Sequence, residues 1–219
     1  MEFKDKRVCL VLSCERPYYS KRRESNYETY RWFQMNGFTV VFLFAGLGQE
    51  NPQLFENSDG TYTLRVPTLE CYELLSHKME LAYKYFSKSG CLGVLKIDDD
   101  IKILDKEQLK LRLNLDGVDY YGISLGSFRS PPSKSLHINK YTLNLFKTLE
   151  VTNSNITYAG GPFYWVSAKT IDYIVNDGLQ YIYEDVSVGY VASCHPELVR
   201  VLDTSIYNTV IRWNNESEL

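Results

Sequence analysis

Three segments of the chain, residues 7–13, 38–46 and 91–97, are almost continuously apolar. Apolar runs of this length are typical of strands that are buried on both faces of a sheet. Between the first two runs, residues 18–37 have helical character, and Gly37 stands where a helix would end. A strand, a helix and a strand in this order predict a right-handed crossover between two parallel strands.

The rest of the chain continues to alternate between strand and helix patterns. We predict strands at 61–67 and 119–126, helices at 71–90, after Asp105 and at 167–178, and loops at 48–60 and around Pro131 and Pro132. Such alternation is typical of α/β proteins, and no internal repeat divides the sequence. We therefore expect one α/β domain with a mainly parallel central sheet flanked by helices.

The composition excludes several classes of protein. Hydrophobic residues make up 44% and charged residues 23% of the 219 residues, as in ordinary globular domains. The net charge of −3 gives no reason to expect a nucleic-acid partner. No apolar run approaches the roughly 18 residues of a membrane span, and the N-terminus has no signal-peptide pattern. Five cysteines without metal-binding spacing favour reduced thiols, so we expect a cytoplasmic protein.

The third apolar run continues directly into an aspartate triplet, Asp98, Asp99 and Asp100. Ligands of open α/β sheets bind beyond the carboxyl ends of the strands, which is where this triplet lies. Along an extended chain, Asp98 and Asp100 would point to one side and Asp99 to the other. Two carboxylates on one side suit a hard cation such as Mg²⁺ or Mn²⁺. A solvated acidic turn without a metal is the alternative interpretation.

Two other kinds of site fit the triplet less well. An EF-hand loop needs acidic or amide residues at alternate positions followed by Gly and Glu, but Lys102 interrupts that spacing. A phosphatase with an aspartate nucleophile would carry the motif nearer the first strand. It would also need a small or branched residue in place of Lys102.

Two later motifs contain residues of the kinds that bind ligands. Gly160 and Gly161 precede an aromatic cluster and a helix, and such glycines allow either a tight turn or close approach of the backbone to a ligand. We expect a double-glycine turn at this position. Glu184 and Asp185 form a carboxylate pair between apolar residues, which could act in catalysis or only cap a short helix.

The order of these motifs resembles the nucleotide-sugar-dependent glycosyltransferases of the GT-A fold. The resemblance is strongest to the inverting β-1,3-galactosyltransferase and fringe-like group, family 31. The matching stretches are KIDDD at 96–100, YAGGPFYWVSA at 158–168 and EDVSVG at 184–189, with RRESNYETYRW at 22–32 as a looser match. Family members usually carry a membrane anchor and disulfide-forming cysteines. This sequence shows neither pattern, so we expect a bacterial or viral relative that works in the cytosol.

The resemblance implies transfer of a sugar from a nucleoside diphosphate sugar, with a UDP-sugar as the expected donor. The implied acceptor is a hydroxyl of a glycan or glycoprotein, and the implied stereochemistry is inversion. A Mn²⁺ or Mg²⁺ cofactor is implied at the diphosphate. On this basis residues 1–104 are expected to bind the nucleotide and residues 105–219 to form the acceptor side, with Gly160 and Gly161 contacting the donor.

The resemblance also assigns metal ligands. Asp100 is the expected direct ligand, whereas Asp98 is expected to ligate through water or to bind the donor. Asp99 is expected to contact sugar hydroxyls. His195 and Asp203 are the two candidates for a further metal ligand.

The remaining expected roles concern the base and the nucleotide. Asp185 matches the residue that acts as general base in the family, and Glu184 is the reserve candidate. The end of the first strand, from Ser13 to Arg16, is expected to face the nucleotide. Arg23 could donate hydrogen bonds to the diphosphate or lie on a solvated helix face.

Two functions from other classes are compatible with the same residues. One is a sugar-nucleotide-binding module without turnover, which would bind nucleotide with metal but transfer nothing. The other is a metal-dependent phosphohydrolase, which would release phosphate from simple phosphomonoesters without any sugar acceptor.

Overall fold

The computed structural model describes residues 2–128, 156–180 and 183–213. The strands are β1 (Arg7–Leu12), β2 (Phe38–Ala45), β3 (Gln53–Glu56), β4 (Tyr62–Val66), β5 (Gly93–Asp98), β6 (Ile101–Ile103), β7 (Tyr120–Phe128), β8 (Ile156–Ser167), β9 (Arg200–Asp203) and β10 (Ile211–Trp213). The helices are α1 (Pro17–Ser25), α2 (Tyr27–Met35), α3 (Leu75–Ser87), α4 (Lys106–Arg112), α5 (Ala168–Asp177) and α6 (Glu184–Cys194), with a 3₁₀ turn at Tyr72–Leu74. The loop predicted around Pro131 and Pro132 lies outside the described residues.

Eight strands form one sheet in the order β3-β4-β2-β1-β5-β8-β7-β9. Strand β1 lies between β2 and β5 and is parallel to both, and β2 is also parallel to β4. Strand β8 runs antiparallel to β5 and β7, so β7 has the same direction as β5, and β9 is parallel to β7. The prediction of a mainly parallel sheet is confirmed. The carboxyl ends of β1, β2, β4, β5, β7 and β9 therefore lie along one edge.

Alternate residues of the central strands pack against two separate layers. Val8 and Leu10 of β1 face a core formed with α3, α5 and α6. Cys9 and Val11, one residue out of step, face a second core formed with α2, α4 and the small β6-β10 sheet. Leu10 is completely buried, and burial of a side chain of this size contributes about 2 kcal/mol. Helices therefore flank the sheet on both faces, as the apolar runs predict.

Two helix predictions are modified by local interactions. The single helix predicted at 18–37 is divided at Asn26, whose side-chain amide donates to the carbonyl oxygen of Asp99. The predicted helix at 71–90 starts as a 3₁₀ turn and becomes α-helical only at Leu75. The predicted helix at 167–178 is confirmed: the Ser167 hydroxyl caps its first turn, and Gly178 ends it with a φ of 74°.

Two other predictions are wrong. The segment 48–60 is not only a loop, because β3 forms a short antiparallel edge strand within it. The double glycine, Gly160 and Gly161, is not a turn but lies within the 12 residues of β8. None of the helices in the described ranges is long and apolar enough to cross a membrane.

Candidate active site

The aspartate triplet begins at the last residue of β5 and continues into the turn before β6. The alternation predicted for an extended chain does not apply, because the strand ends at Asp98. Asp98 pairs with Lys96, which lies two residues earlier on the same strand face. Asp99 and Asp100 instead share one cation, the Arg22 guanidinium, at 3.7 and 3.5 Å. The triplet is thus divided between two positive charges.

Asp99 is fixed by groups from β1 and α2. Its carboxylate accepts a hydrogen bond of 2.5 Å from the Ser13 hydroxyl at the end of β1. Its carbonyl oxygen accepts from the Tyr30 hydroxyl at 3.0 Å and from the Asn26 amide. Burial raises the pKa of Asp99 to about 6, although the Ser13 hydroxyl and Arg22 oppose this shift. These contacts make Asp99 a structural anchor of the turn as well as part of the acidic site.

Asp100 has the least satisfied carboxylate of the triplet. The residue is 7% exposed, and its Oδ1 atom is buried with no hydrogen-bond partner among the described residues. Burial raises the pKa of Asp100 to about 7, and the neighbouring Asp98 charge acts in the same direction with a smaller effect. A buried acceptor without a donor is costly, so this atom is suited to a cation or a donor group of a ligand.

Arg22, rather than the predicted Arg23, lies beside the triplet. Its guanidinium carbon is 4.6 Å from the centre of the Tyr18 ring and 5.4 Å from that of Tyr19. Arg23 has a different task, because it donates to the Ser13 hydroxyl at 2.6 Å and to the Cys14 carbonyl at 2.7 Å. Arg23 therefore stiffens the end of β1, and Arg22 supplies the positive charge at Asp99 and Asp100.

Lys96 joins the triplet to the carboxylate pair, Glu184 and Asp185. Its ammonium group is 2.6 Å from Asp98 Oδ1 and 3.2 Å from Glu184 Oε1, and it also donates to the carbonyl oxygen of Gly161. Burial lowers the pKa of Lys96, but the carboxylates of Asp98 and Glu184 outweigh burial and raise it. Lys96 is a site residue that the sequence motifs did not predict. The available signal was a lysine inside an otherwise buried strand, two positions before an acidic residue.

The carboxylate pair forms the first turn of α6 and faces β8. Asp185 accepts backbone hydrogen bonds from Gly161 at 2.9 Å and from Val186 at 2.8 Å. Burial and the adjacent Glu184 charge raise the pKa of Asp185 to about 7. A side chain at Gly161 would begin 3.2 Å from both carboxylates, so glycine lets β8 approach α6 this closely. Gly160 is buried in β8 beside it.

A cavity of about 480 Å³ opens at the carboxyl ends of β1, β2 and β4. Its lining residues are Glu15, Arg16, Ala45, Leu47, Leu69, Glu70 and Cys71. Glu70 accepts from the backbone N–H of Ala45 at 3.0 Å and forms an ion pair of 2.8 Å with the buried Lys78. Lys78 also donates to the Ser13 carbonyl at 2.7 Å, which ties the cavity wall to the residue that holds Asp99. The cavity and the triplet are therefore neighbours.

The structure does not bring the two candidates for a further metal ligand to the triplet. His195 follows the last residue of α6, about 16 Å along the helix from the carboxylate pair, and pairs with Asp177 at 2.8 Å. Asp203 ends β9, which is about 14 Å from β5 across β8 and β7. There it forms an ion pair with Arg112.

The carboxylates of the triplet supply only part of the coordination shell that a metal ion needs. Within the ranges that the structure describes, no three His, Cys, Asp or Glu side chains form a group that could hold a metal ion. The unpartnered Asp100 Oδ1 nevertheless offers an oxygen ligand of the type that Mg²⁺ and Mn²⁺ prefer. Two protein carboxylates are compatible with such ions, which usually keep several waters and substrate phosphates in their coordination shell.

The fold of the chain is similar to that of a solved glycosyltransferase catalytic domain. The catalytic domain of Drosophila β1,4-galactosyltransferase 7, solved in complex with xylobiose, superposes with a TM-score of 0.52 at 11% identity, over 98% of this chain and 73% of that chain. A glycosyltransferase involved in the glycosylation of the major capsid of PBCV-1 superposes with a TM-score of 0.47 at 10% identity, over 94% and 92% of the two chains. No protein-family model and no curated protein matches the sequence. The GT-A-like fold predicted above is confirmed, and membership of family 31 remains a prediction.

Proposed function

We propose that the protein is a metal-dependent glycosyltransferase that moves a sugar from a UDP-sugar to a hydroxyl of a glycan or glycoprotein acceptor, with inversion. The observation that carries this proposal is the meeting of two acidic motifs at one sheet edge. The aspartate triplet and the carboxylate pair, more than 80 residues apart in sequence, share the buried ammonium group of Lys96. The superposition on a glycosyltransferase catalytic domain supports the same conclusion at the level of the fold.

The nucleoside of the donor would occupy the cavity at the ends of β1, β2 and β4. Its volume of about 480 Å³ lies within the range of small-molecule sites, and its walls are mainly apolar, with Glu15, Arg16 and Glu70 as the charged lining residues. Because Ser13 connects the cavity wall to Asp99, a nucleoside bound there would direct its diphosphate toward the triplet. Residues 1–104 would thus supply the nucleotide site, as the resemblance implies.

Asp100 and Asp98 would hold the Mn²⁺ or Mg²⁺ ion. When bound, the ion would neutralise the charge that develops on the departing diphosphate. Asp100 offers the unpartnered oxygen, whereas Asp98 is restrained by Lys96 and keeps 33% of its side chain exposed. The other ligands would be donor phosphates and water, since neither His195 nor Asp203 lies near the triplet.

Asp185 would act as the general base toward the acceptor hydroxyl. Two backbone hydrogen bonds fix its carboxylate, so it needs no reorganisation to receive a proton. A pKa of about 7 suits this task, because a base is most effective when its pKa lies near the working pH. Glu184 faces Lys96 instead, and we assign it the positioning of that ammonium group.

A thermal-shift screen of nucleoside diphosphate sugars, with and without Mn²⁺, tests the donor site. A ligand at about 100 times its dissociation constant stabilises a protein by about 2.7 kcal/mol, which is readily detected. We expect UDP-sugars to raise the melting temperature of the natural protein only when Mn²⁺ is present. The Asp100→Asn variant should not show this increase. A shift with other nucleotides but none with uridine nucleotides would contradict the proposed donor.

Product analysis then separates the three candidate functions. A glycosyltransferase releases UDP and gives a glycosylated acceptor, whereas a binding module gives neither product. Release of phosphate from a simple phosphomonoester, without any sugar acceptor, would instead favour a phosphohydrolase and refute sugar transfer.

A further inference from the structure

The position that faces Asp99 and Asp100 is filled by a side chain of the protein itself. The Arg22 guanidinium lies 3.7 Å from Asp99 Oδ1 and 3.5 Å from Asp100 Oδ2, and its side chain is 11% exposed. These distances exceed those of ordinary hydrogen bonds, so the attraction is mainly between charges. Arg22 Nε and Asp100 Oδ1 are both buried without hydrogen-bond partners in the described part of the chain.

Arg22 contacts two tyrosine side chains at the same time as the two carboxylates. Its guanidinium lies close to the Tyr18 and Tyr19 rings, and one nitrogen donates to the Tyr18 hydroxyl at 2.8 Å. All three residues belong to the same helix, α1, which packs no buried side chain of its own into the core. The guanidinium can therefore change its partner without disturbing the two main cores.

We propose that Arg22 is a built-in counter-cation: its charge, held beside Asp99 and Asp100, opposes the binding of a divalent metal ion at Asp100 and Asp98. This inference rests on the proposed function, because it concerns the metal and diphosphate of that site. In the free protein the positive charge of Arg22 opposes metal binding. A diphosphate offers the guanidinium a better partner, since arginine binds phosphate through paired hydrogen bonds. Nucleotide binding therefore releases the carboxylates, and metal and nucleotide bind together.

Direct titration of Mn²⁺ tests this coupling without any measurement of activity. Free Mn²⁺ is followed by electron paramagnetic resonance, with the full chain, first without nucleotide and then with saturating UDP. Arg22→Gln and Arg22→Met remove the charge, and the second variant also keeps the apolar stem against the tyrosine rings. Arg22→Lys retains the charge. Arg31→Gln, at an exposed position of α2, is the matched control for the loss of one positive charge.

Without nucleotide, we expect the neutral Arg22 variants to bind Mn²⁺ about tenfold more tightly than the natural protein, because a repelling unit charge close to the ion is gone. Arg31→Gln and Arg22→Lys should stay within about threefold of the natural protein, since a distant or retained charge changes little. UDP should raise the Mn²⁺ affinity of the natural protein more than that of the neutral variants.

The outcomes separate the two proposals. The role of Arg22 would be overturned if a folded neutral variant and the natural protein bound Mn²⁺ with equal affinity. If both proteins also bound Mn²⁺ in the presence of UDP, the proposed function would stay intact. If none of the proteins binds Mn²⁺ even with UDP, both the role of Arg22 and the metal-dependent mechanism are refuted. Circular dichroism confirms the folding of each variant, and either neutral variant suffices for the comparison.

Discussion

Replacement of Lys96 by methionine should strongly destabilise the fold, because it leaves two carboxylates without their shared cation. Lys96 is 1% exposed, and its ammonium group is the contact that joins β5, β8 and α6 at the site. Methionine has a similar length and is apolar, so the change removes the charge while it largely preserves the packing.

The size of the effect follows from the two ion pairs. At an effective dielectric constant of about 20, unit charges 3.2 Å apart attract by about 5 kcal/mol before desolvation is subtracted. The Glu184 side chain is 6% exposed and dominates the cost, whereas Asp98 is 33% exposed and is partly screened by water. Removal of one partner from a buried pair costs about 3–5 kcal/mol, and we expect the free energy of unfolding to fall by that amount.

Urea denaturation at pH 8 of the natural protein, Lys96→Met, Glu184→Gln and the double variant measures this coupling. The double variant should be more stable than Lys96→Met alone, with a coupling free energy of about 1–3 kcal/mol. Lys84→Met, which breaks a partly exposed ion pair with Glu80, should cost less than about 1 kcal/mol. A loss of under about 1 kcal/mol for Lys96→Met, or the same loss with and without Glu184→Gln, would refute the proposed linkage.

Three further changes test separate parts of the structure. Asp100 has a pKa of about 7 in the folded protein, which is above its value in the unfolded chain. The folded protein therefore binds more protons at this residue, and the contribution of Asp100 to stability falls as the pH rises from about 4 to 7. Asp100→Asn should therefore raise the melting temperature at pH 8 in EDTA but not at pH 4, and an equal gain at both values would contradict this. A methyl group at Gly189 would lie 2.3 Å from Tyr158 Cβ, so Gly189→Ala should lower the free energy of unfolding, measured in urea, by about 1–3 kcal/mol. An unchanged free energy of unfolding would refute the close packing of α6 on β8. Gly161→Ala should displace the carboxylate pair and slow sugar transfer by about tenfold or more with little loss of stability, whereas an unchanged rate would exclude a tight requirement at this position.

The buried framework could be predicted because burial leaves a direct trace in the sequence. Strands β1, β2 and β5 are covered on both faces, so each appears as a continuous apolar run. The edge strand β3 could not be found in this way, because its four residues are largely exposed and carry no apolar pattern. Whether residues 1–104 and 105–219 divide nucleotide and acceptor binding remains a prediction.

The site was only partly predictable, because its geometry depends on contacts that are distant in sequence. The acidic motifs can be recognised in the sequence because consecutive acidic residues follow or interrupt apolar runs. The turn after Asp98 and the placement of Arg22 depend on tertiary packing. The glycine motif is compatible either with a turn or with close approach of the backbone to another group. In the structure Gly161 lies in a strand, and its lack of a side chain allows β8 to pack closely against α6. The positions of His195 and Asp203 likewise follow from helix length and strand order.

The most direct test of the account compares turnover and binding in Asp185→Asn. UDP release is measured with the UDP-sugar that gives the largest Mn²⁺-dependent thermal shift, and UDP affinity is measured by calorimetry on the same preparations. We expect turnover to fall by about 10²–10⁴-fold, because the general base is lost, while the dissociation constant for UDP changes by less than about threefold. In the natural protein the rate should rise with pH through about 7, as Asp185 loses its proton. Undiminished turnover in Asp185→Asn would contradict the proposed base, and loss of UDP binding together with turnover would show that Asp185 only supports the structure of the site.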